Sequence, residues 1–224
     1  MKAVPLAMPA GIAYDRDCVR CPRLTAHLRA VRQDYPQYHA LPVAPFGDAD
    51  PDLLIVGLAP GMHGANASGR PFTGDHAGIL LYETLHRFGY SNQPVSSHRD
   101  DGLALRGCRI TNAVKCLPPE NKPTPAEVAA CNPFLRAELG VLRPAAAVLA
   151  LGTIAHQAVL RALGLPAKDY RFAHGAEHRL PDGYRLFDSY HCSRYNTQTR
   201  RLTEQMFHEV FARIRACPAS ARIG

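Results

Sequence analysis

The sequence has no internal repeat, no block of like charge and no apolar run long enough to cross a bilayer. These absences argue against a repeat array, a charged low-complexity tail and a membrane-spanning helix. The opening segment, MKAVPLAMPAG, has a very short apolar stretch that Pro5 and Pro9 interrupt. We therefore interpret it as a disordered tail and not as a signal peptide, and expect the protein in the cytoplasm.

Acidic residues are the scarcer charge, with 19 Asp and Glu against 26 Lys and Arg, which gives a formal net charge of +7. This excess favours a polyanionic partner, although an ordinary basic enzyme would have the same balance. The 224 residues, 46% of them hydrophobic, suffice for one sizeable core. We predict a single domain over residues 13–216, with flexible tails at 1–12 and 217–224.

Short apolar runs alternate with helical patterns along the chain. Strands are predicted at 52–57, 109–114, 145–152 and 184–191. Helices are predicted at 77–88, 124–142, 153–164 and 199–215. This alternation predicts an α/β fold in which a central, mainly parallel four-stranded sheet lies between two helical layers. In such a sheet, the loops after the carboxyl ends of the strands build the active site.

Four of the seven cysteines are placed where thiolates could close a metal site. Cys18 and Cys21 form a CxxC pair, and Cys116 and Cys131 follow far downstream. Cytoplasmic cysteines stay reduced, so the pattern favours metal binding over a disulfide. Four thiolates can bind zinc or an iron–sulfur cluster, and ligand softness alone does not separate the two. Cys116 and Cys131 could instead be small buried residues of the core.

Three unusual loops follow Gly57, Asn112 and His191, at the predicted carboxyl edge of the sheet. In the first, GLAPG, the glycines allow close approach of the backbone and Pro60 stiffens the turn. Its backbone amides could hold a phosphate or the edge of a base. Tight turns between a strand and a helix use the same residues, so this motif alone is a weak signal.

Taken together and in order, these motifs resemble the uracil-DNA glycosylase superfamily and, within it, the iron–sulfur type B enzymes of family 5. The motifs are CVRC, GLAPG, GRPFTGD, ITNAVKCLPPENKPTP with the later Cys131, LALGTIA and SYHCSRYNTQT, and they extend from about Cys18 to Ala216. The related family 4 usually has an acidic residue at the position of Leu58. Because a leucine can neither polarise nor hold a water, the first motif favours family 5.

The resemblance implies a three-layer α/β/α fold and a [4Fe–4S] cluster on Cys18, Cys21, Cys116 and Cys131. It also implies excision of uracil, and of other deaminated bases such as hypoxanthine or xanthine, from double- or single-stranded DNA. We expect a monomer that works at the nucleoid. Four cysteines fill the coordination of such a cluster, so the cluster would be structural.

Cleavage of an N-glycosidic bond leaves positive charge on the sugar and negative charge on the departing base, which must first leave the helical stack. The resemblance implies that His191 donates to uracil O2 and that Phe72 stacks on the flipped base. Asn112 would bind the O4 and N3–H edge of uracil through its amide. Outside these motifs, the same residues could be a strand-end histidine bonded to backbone, a core phenylalanine and a turn-capping asparagine.

The remaining candidates lie in the first two loops. The backbone of Gly57, Ala59 and Gly61 would line the base pocket, and Asn121 faces the same edge of the base, where it could hold a water. Since Leu58 is inert, we assign to Asp75 the placing or activation of water, or the shielding of the sugar cation. Asp75 could instead cap the helix that follows it, and the two roles can coexist.

The loop of residues 193–196 is predicted to face DNA. Ser193 could bond a phosphate, Arg194 or Tyr195 could enter the minor groove beside the lesion, and Asn196 completes the same surface. Relatives usually have Pro at the position of Cys192. The lost proline constraint bears on the rigidity of this loop.

Two other functions are also consistent with the sequence. A non-catalytic iron–sulfur protein that senses damaged DNA could use the same scaffold, and Leu58 and Cys192 leave room for it. A zinc-stapled binding module would have the same four cysteines but no colour.

Overall fold

The computed structural model describes residues 14–181 and 183–217. The predicted tail at 1–12 lies outside these residues, as do all residues of the predicted tail at 217–224 except Cys217. Cys217, which we had assigned to the second tail, is 1% exposed and packs in the core. No helix within the described ranges has the length and apolar character needed to cross a membrane.

A six-stranded sheet forms the centre of the described chain. Its strands are β1 (Phe46–Gly47), β2 (Leu53–Gly57), β3 (Cys108–Asn112), β4 (Ala147–Leu151), β5 (Glu177–Arg179) and β6 (Arg185–Ser189). They are arranged in the order β1-β3-β2-β4-β6-β5. The four central strands are parallel, and the two edge strands pair antiparallel with their neighbours.

Seven α-helices surround or flank the sheet in the described ranges. They are α1 (Pro22–Asp34), α2 (Ala65–Ser68), α3 (His76–Arg87), α4 (Pro125–Gly140), α5 (Thr153–Ala162), α6 (Arg194–Gln198) and α7 (Glu204–Arg215). The start of α4 is fixed by reciprocal hydrogen bonds, because Thr124 accepts from the Glu127 amide and Glu127 accepts from the Thr124 amide. The predicted N-cap at Thr124 is therefore confirmed.

The sheet is buried on both faces, as the continuous apolar strands β2 and β4 predict. Leu53 and Ile55 of β2 pack on the side of α3 and α7, and Leu54 and Val56 pack on the side of α4 and α5. The predicted three-layer α/β/α sandwich is thus confirmed. The strand count of four was wrong, because β1 and β5 are edge strands of two and three residues. Segments of two or three residues are too short to show an alternating pattern.

Two helical predictions also need correction. The closing helix was expected at 199–215, but α6 ends at Gln198, Arg200 adopts a left-handed φ of +57°, and α7 begins only after Thr203. Helix α1 was not predicted, although its buried Leu24, Leu28 and Val31 have helical spacing. These side chains pack with residues that follow β3 and with α4, forming a third apolar cluster.

Candidate active site and cysteine cluster

A cavity of about 500 Å³ lies at the carboxyl edge of the parallel strands. It is lined by Leu58, Ala59, Gly61, Ala65, Phe72, Asp75, His76, Ala77, Asn112, Asn121, His191, Ser193 and Arg194. The sheet register explains the convergence, because Gly57 at the end of β2 is paired with Asn112 at the end of β3. The structure therefore brings together nearly all of the predicted catalytic and base-binding residues.

Glycines let the site residues approach one another. A Cβ added at Gly57 would lie 2.4 Å from Oδ1 of Asn112 and 2.8 Å from Cζ of Phe72. A Cβ added at Gly61 would lie 2.5 Å from Oδ1 of Asp75, and one at Gly64 would lie 1.9 Å from Cγ of the same residue. Such distances are far shorter than any tolerated contact, so these positions require glycine wherever their neighbours stay in place.

Phe72 forms one wall of the cavity. Its ring lies 5.9 Å from that of His191, centroid to centroid, with an angle of 26° between the planes. Its backbone has a left-handed φ of +56°, which is unfavourable for a phenylalanine. The neighbouring chain holds it there, because Tyr82 donates to the Pro71 carbonyl at 2.7 Å and Gly78 leaves space for the Phe72 carbonyl.

A buried ion pair anchors the same loop from behind. The Arg70 guanidinium donates to both carboxylate oxygens of Asp101, at 2.9 and 2.6 Å, and to Oγ1 of Thr73 at 2.8 Å. The side chains of Arg70 and Asp101 are 4% and 5% exposed. Hydrogen bonds from Arg70 and from nearby backbone amides hold the pKa of the Asp101 carboxyl well below its usual range despite burial. Sequence reasoning missed this pair, because nothing in the sequence links position 70 to position 101.

Asp75 precedes α3 but does not cap it. Its carboxylate makes no hydrogen bond to that helix, and Oδ2 instead accepts from the Ala65 amide at 3.1 Å. Burial raises the pKa of the carboxyl, whereas the Ala65 bond lowers it. The carboxylate is thus directed into the cavity, and the predicted alternative of a simple helix cap is wrong.

His191 and Asn112 provide two unusual polar groups. Burial lowers the pKa of His191 to about 4, so its imidazole is neutral at neutral pH. Asn112 is 4% exposed, and its Oδ1 finds no hydrogen-bond partner among the described residues. A buried carbonyl oxygen without a donor costs about 1–3 kcal/mol, and a ligand with an N–H group could supply that donor.

The loop after His191 is more ordered internally than its sequence suggests. Ser193 caps α6 by accepting from the Asn196 amide, and the Asn196 side chain donates to the His191 carbonyl at 2.8 Å. Arg194 is exposed at the rim of the cavity, and Tyr195 is 69% exposed. Cys192 is fully buried in the core. Burial of this side chain anchors the loop.

Other residues at the edge have supporting contacts. Asn121 is exposed at the cavity rim and has a left-handed φ of +56°. His76, which the sequence did not single out, lines the cavity, and its Nε2 lies 3.1 Å from Oγ1 of Thr197. His63, a neighbouring polar residue, is bonded through Nδ1 to the Tyr38 hydroxyl at 2.8 Å.

The four cysteines converge at a second place, beside α1. Cys18, Cys21, Cys116 and Cys131 all line a small cavity of about 20 Å³ whose other walls include Leu24, Val114 and Phe134. Burial and the neighbouring Cys131, Glu127 and Cys18 raise the pKa of Cys21 to about 11, and burial with the other three thiols raises that of Cys116. Sγ of Cys131 accepts from the Lys115 amide at 3.3 Å. Such thiols ionise when a metal supplies positive charge, so the donor set fits a thiolate-bound metal centre.

The buried pair behind Phe72 gives a stability prediction. Asp101→Asn leaves Arg70 buried without its ionic partner, and we expect the free energy of unfolding to fall by about 3 kcal/mol. The measurement is urea denaturation followed by circular dichroism. Asp50→Asn is the matched control, since it breaks a more exposed pair with Arg143 and should change stability little. Equal, small losses in both variants would contradict the role given to Asp101.

Sequence comparison with known proteins agrees with the geometry of the cavity. A sequence profile of the uracil DNA glycosylase superfamily matches residues 44–215. A type-5 uracil-DNA glycosylase of Thermus thermophilus is 48% identical over 200 residues, which cover 86% of this chain and 90% of that protein. One of Pyrobaculum aerophilum is 45% identical over 204 residues, covering 89% and 88%. A type-4 uracil-DNA glycosylase of Thermotoga maritima is 38% identical over only 110 residues, 49% of each chain. The chain therefore belongs to the uracil-DNA glycosylase superfamily and, within it, to the type-5 uracil-DNA glycosylases, hydrolases that act on N-glycosyl bonds.

Proposed function

We propose that this protein removes uracil from DNA by hydrolysing the N-glycosidic bond of a nucleotide flipped into the 500 Å³ cavity. The observation that carries the proposal is the buried, unpartnered Oδ1 of Asn112. Uracil has an N3–H donor for this oxygen and an O4 acceptor for the amide nitrogen. Cytosine has no hydrogen at N3 and an amino group at the neighbouring position, so it would leave Oδ1 unpaired and oppose two donors.

His191 would stabilise the departing base. As the bond breaks, negative charge collects on the base, including O2, and a hydrogen-bond donor placed there lowers the barrier. The imidazole of His191 is neutral, so one of its ring nitrogens carries a proton without adding a positive charge to the buried site. The ring of His191 lies 5.9 Å from that of Phe72, so the imidazole would stand next to a base stacked on Phe72.

Asp75 would act on the other side of the bond. When ionised, its carboxylate can orient a water for attack on the sugar carbon or stabilise the positive charge that develops there. Leu58 lines the same cavity and offers no polar atom in its side chain, which leaves Asp75 as the carboxylate of the lining. The Ala65 amide fixes the orientation of its Oδ2.

The test of Asp75 is Asp75→Ala in a single-turnover assay on a uracil-containing oligonucleotide. We expect DNA affinity near that of the wild type and excision slowed by about a hundredfold or more, because the group acts in the chemical step. Alkali-sensitive abasic strands report excision. Unchanged excision would remove Asp75 from the mechanism, and a wild-type protein that binds DNA but never cleaves would favour a DNA-sensing function instead.

The pH profile provides an independent check. Because burial raises the pKa of Asp75, the rate should fall on the acid side at a pH above the range of an exposed aspartate. His191 stays neutral down to about pH 4 and should add no limb above that value. The residual activity of Asp75→Ala should lack this acid limb; a limb that persists unchanged belongs to another group.

Gly64→Ala tests the placement of Asp75 without changing its chemistry. The added methyl group would lie 1.9 Å from Cγ of Asp75, so the carboxylate must move. A displacement of this size is expected to slow excision by about a hundredfold. Gly140→Ala is the control, since its Cβ position is open apart from the adjoining residues and backbone of α4. If both variants excise uracil at the wild-type rate, the position of Asp75 does not control the reaction.

We also propose that the four cysteines hold a [4Fe–4S] cluster. The support is a donor set made only of sulfur, gathered from the segment that leads into α1, the loop after β3 and helix α4 beside apolar side chains. A cluster bound there would supply a cross-link between α1 and the body of the protein. The cysteine cavity and the base cavity share no lining residue, so the cluster would stabilise the fold without touching the base.

Cys116→Ser tests this proposal. Loss of one thiolate should lower the iron and sulfide content of the purified protein, its brown colour and its melting temperature together. Cys217→Ser, which alters a buried thiol that does not line the cysteine cavity, should keep the cluster. A colourless wild-type protein containing zinc would overturn the proposal, as would a Cys116→Ser variant that is stable, active and free of iron.

We propose further that hypoxanthine and xanthine are also removed and that the rim binds the DNA backbone. Ala59 and Gly61 present no bulky side chain to the cavity, which leaves room for a purine.

Exposed Arg194 and Tyr195 stand beside the opening, where a cation and a ring can enter the minor groove. The net charge of +7 supports attraction to DNA of either strandedness.

A further inference from the structure

Three ligand-type side chains meet outside both cavities. His156 of α5, His178 of β5 and Asp188 of β6 offer ligand atoms that all lie within 4.8 Å of one another. Asp188 is fully buried and His156 is 2% exposed, whereas the His178 side chain is 16% exposed. Nδ1 of His156 lies 2.7 Å from Oδ1 of Asp188, and Nε2 of His178 lies 3.2 Å from Oδ2.

The hydrogen positions on His156 follow from its second ring nitrogen. Nε2 lies 2.9 Å from the Tyr170 carbonyl oxygen, which can only accept, so Nε2 must carry the hydrogen. In a neutral ring, Nδ1 then has a lone pair directed at the carboxylate oxygen of Asp188. The separation of 2.7 Å fits a proton between them, and a metal ion that replaced this proton would move the two atoms apart.

The donor set matches a metal ion. Imidazole nitrogen and carboxylate oxygen together are typical ligands of zinc and related divalent metals. A ligating histidine usually donates its other N–H to a carbonyl or carboxylate, as His156 does to Tyr170. His178 contributes a third donor and, being partly exposed, lies next to a route from solvent. Protons on both histidines would account for their separate contacts with Asp188. The support for a metal is that all three ligand atoms lie within 4.8 Å of one another.

We propose that His156, His178 and Asp188 bind a divalent transition-metal ion of the zinc class. The ion would be structural. The chain between α5 and β5 has a single 3-10 turn at Ala167–Asp169 among its described residues, and β5 has only three residues at the sheet edge. An ion on these ligands would tie α5 and β5 to β6, the strand that leads to His191.

The experiment measures the zinc-dependent melting temperature of the purified protein, first dialysed against a chelator that leaves its other metal content intact. Zinc is added at about a hundred times its dissociation constant, and the melting temperature of the wild type should rise by about 5–10 °C. His178→Ala should lose most of this rise. His208→Ala is the matched control, since His208 also lies near a carboxylate, 3.8 Å from Glu204, but has no third ligand beside it. All three proteins contain the same cysteines, so zinc bound by thiols cancels in the comparison.

An equal zinc response in the wild type and His178→Ala would overturn the proposal and leave a proton as the cation between His156 and Asp188. If His178→Ala does not fold, ¹⁵N NMR of the histidine rings in the wild type decides. Zinc should shift the Nδ1 resonance of His156 and the Nε2 resonance of His178. Unchanged resonances at saturating zinc would likewise overturn the proposal.

Discussion

The candidate site depends on the missing side chain of Gly57. The parallel register places this residue opposite Asn112, and the space where a Cβ would stand is filled by the Asn112 amide and the Phe72 ring. Strand pairing alone would bring the loops to one edge, but any other residue at position 57 would force these two groups apart. The same close packing against glycine occurs around Asp75, whose carboxylate fills the space next to Gly61 and Gly64. Close backbone approach is thus what turns a common sheet edge into a defined cavity.

Burial gives the cavity its chemistry. It keeps His191 neutral, raises the pKa of Asp75 and leaves the Asn112 carbonyl without a donor. The unpaired Asn112 carbonyl is unfavourable for the protein alone and becomes favourable when a planar ligand with an N–H donor enters. The unfavourable backbone of Phe72 belongs to the same set, and the buried pair of Arg70 and Asp101 holds its loop in place. The contacts that offset the unfavourable backbone conformation of Phe72 therefore lie behind the cavity and not within it.

Much of this arrangement could be predicted from the sequence, for identifiable reasons. Strands β2 and β4 are continuous apolar runs, and Thr124 carries the capping signature of α4, so local pattern sufficed for these elements. The approximate membership of the cavity was implied by the resemblance of the motifs to the uracil-DNA glycosylase superfamily. The edge strands β1 and β5 could not be found, because pairing with a neighbour, and not their own sequence, defines them. The orientation of Asp75 away from α3 and the contact of Arg70 with Asp101 depend on tertiary packing, which no spacing rule contains.

The central claim is that a flipped uracil lies against Phe72 with its N3–H on Asn112 and its O2 near His191. The most direct measurement is a crystal structure of the Asp75→Asn variant bound to a duplex containing a single uracil. The account predicts the uracil ring alongside the Phe72 ring, with N3 within hydrogen-bond distance of Asn112 Oδ1. A uracil that stays stacked in the duplex, or that binds outside this cavity, would contradict it.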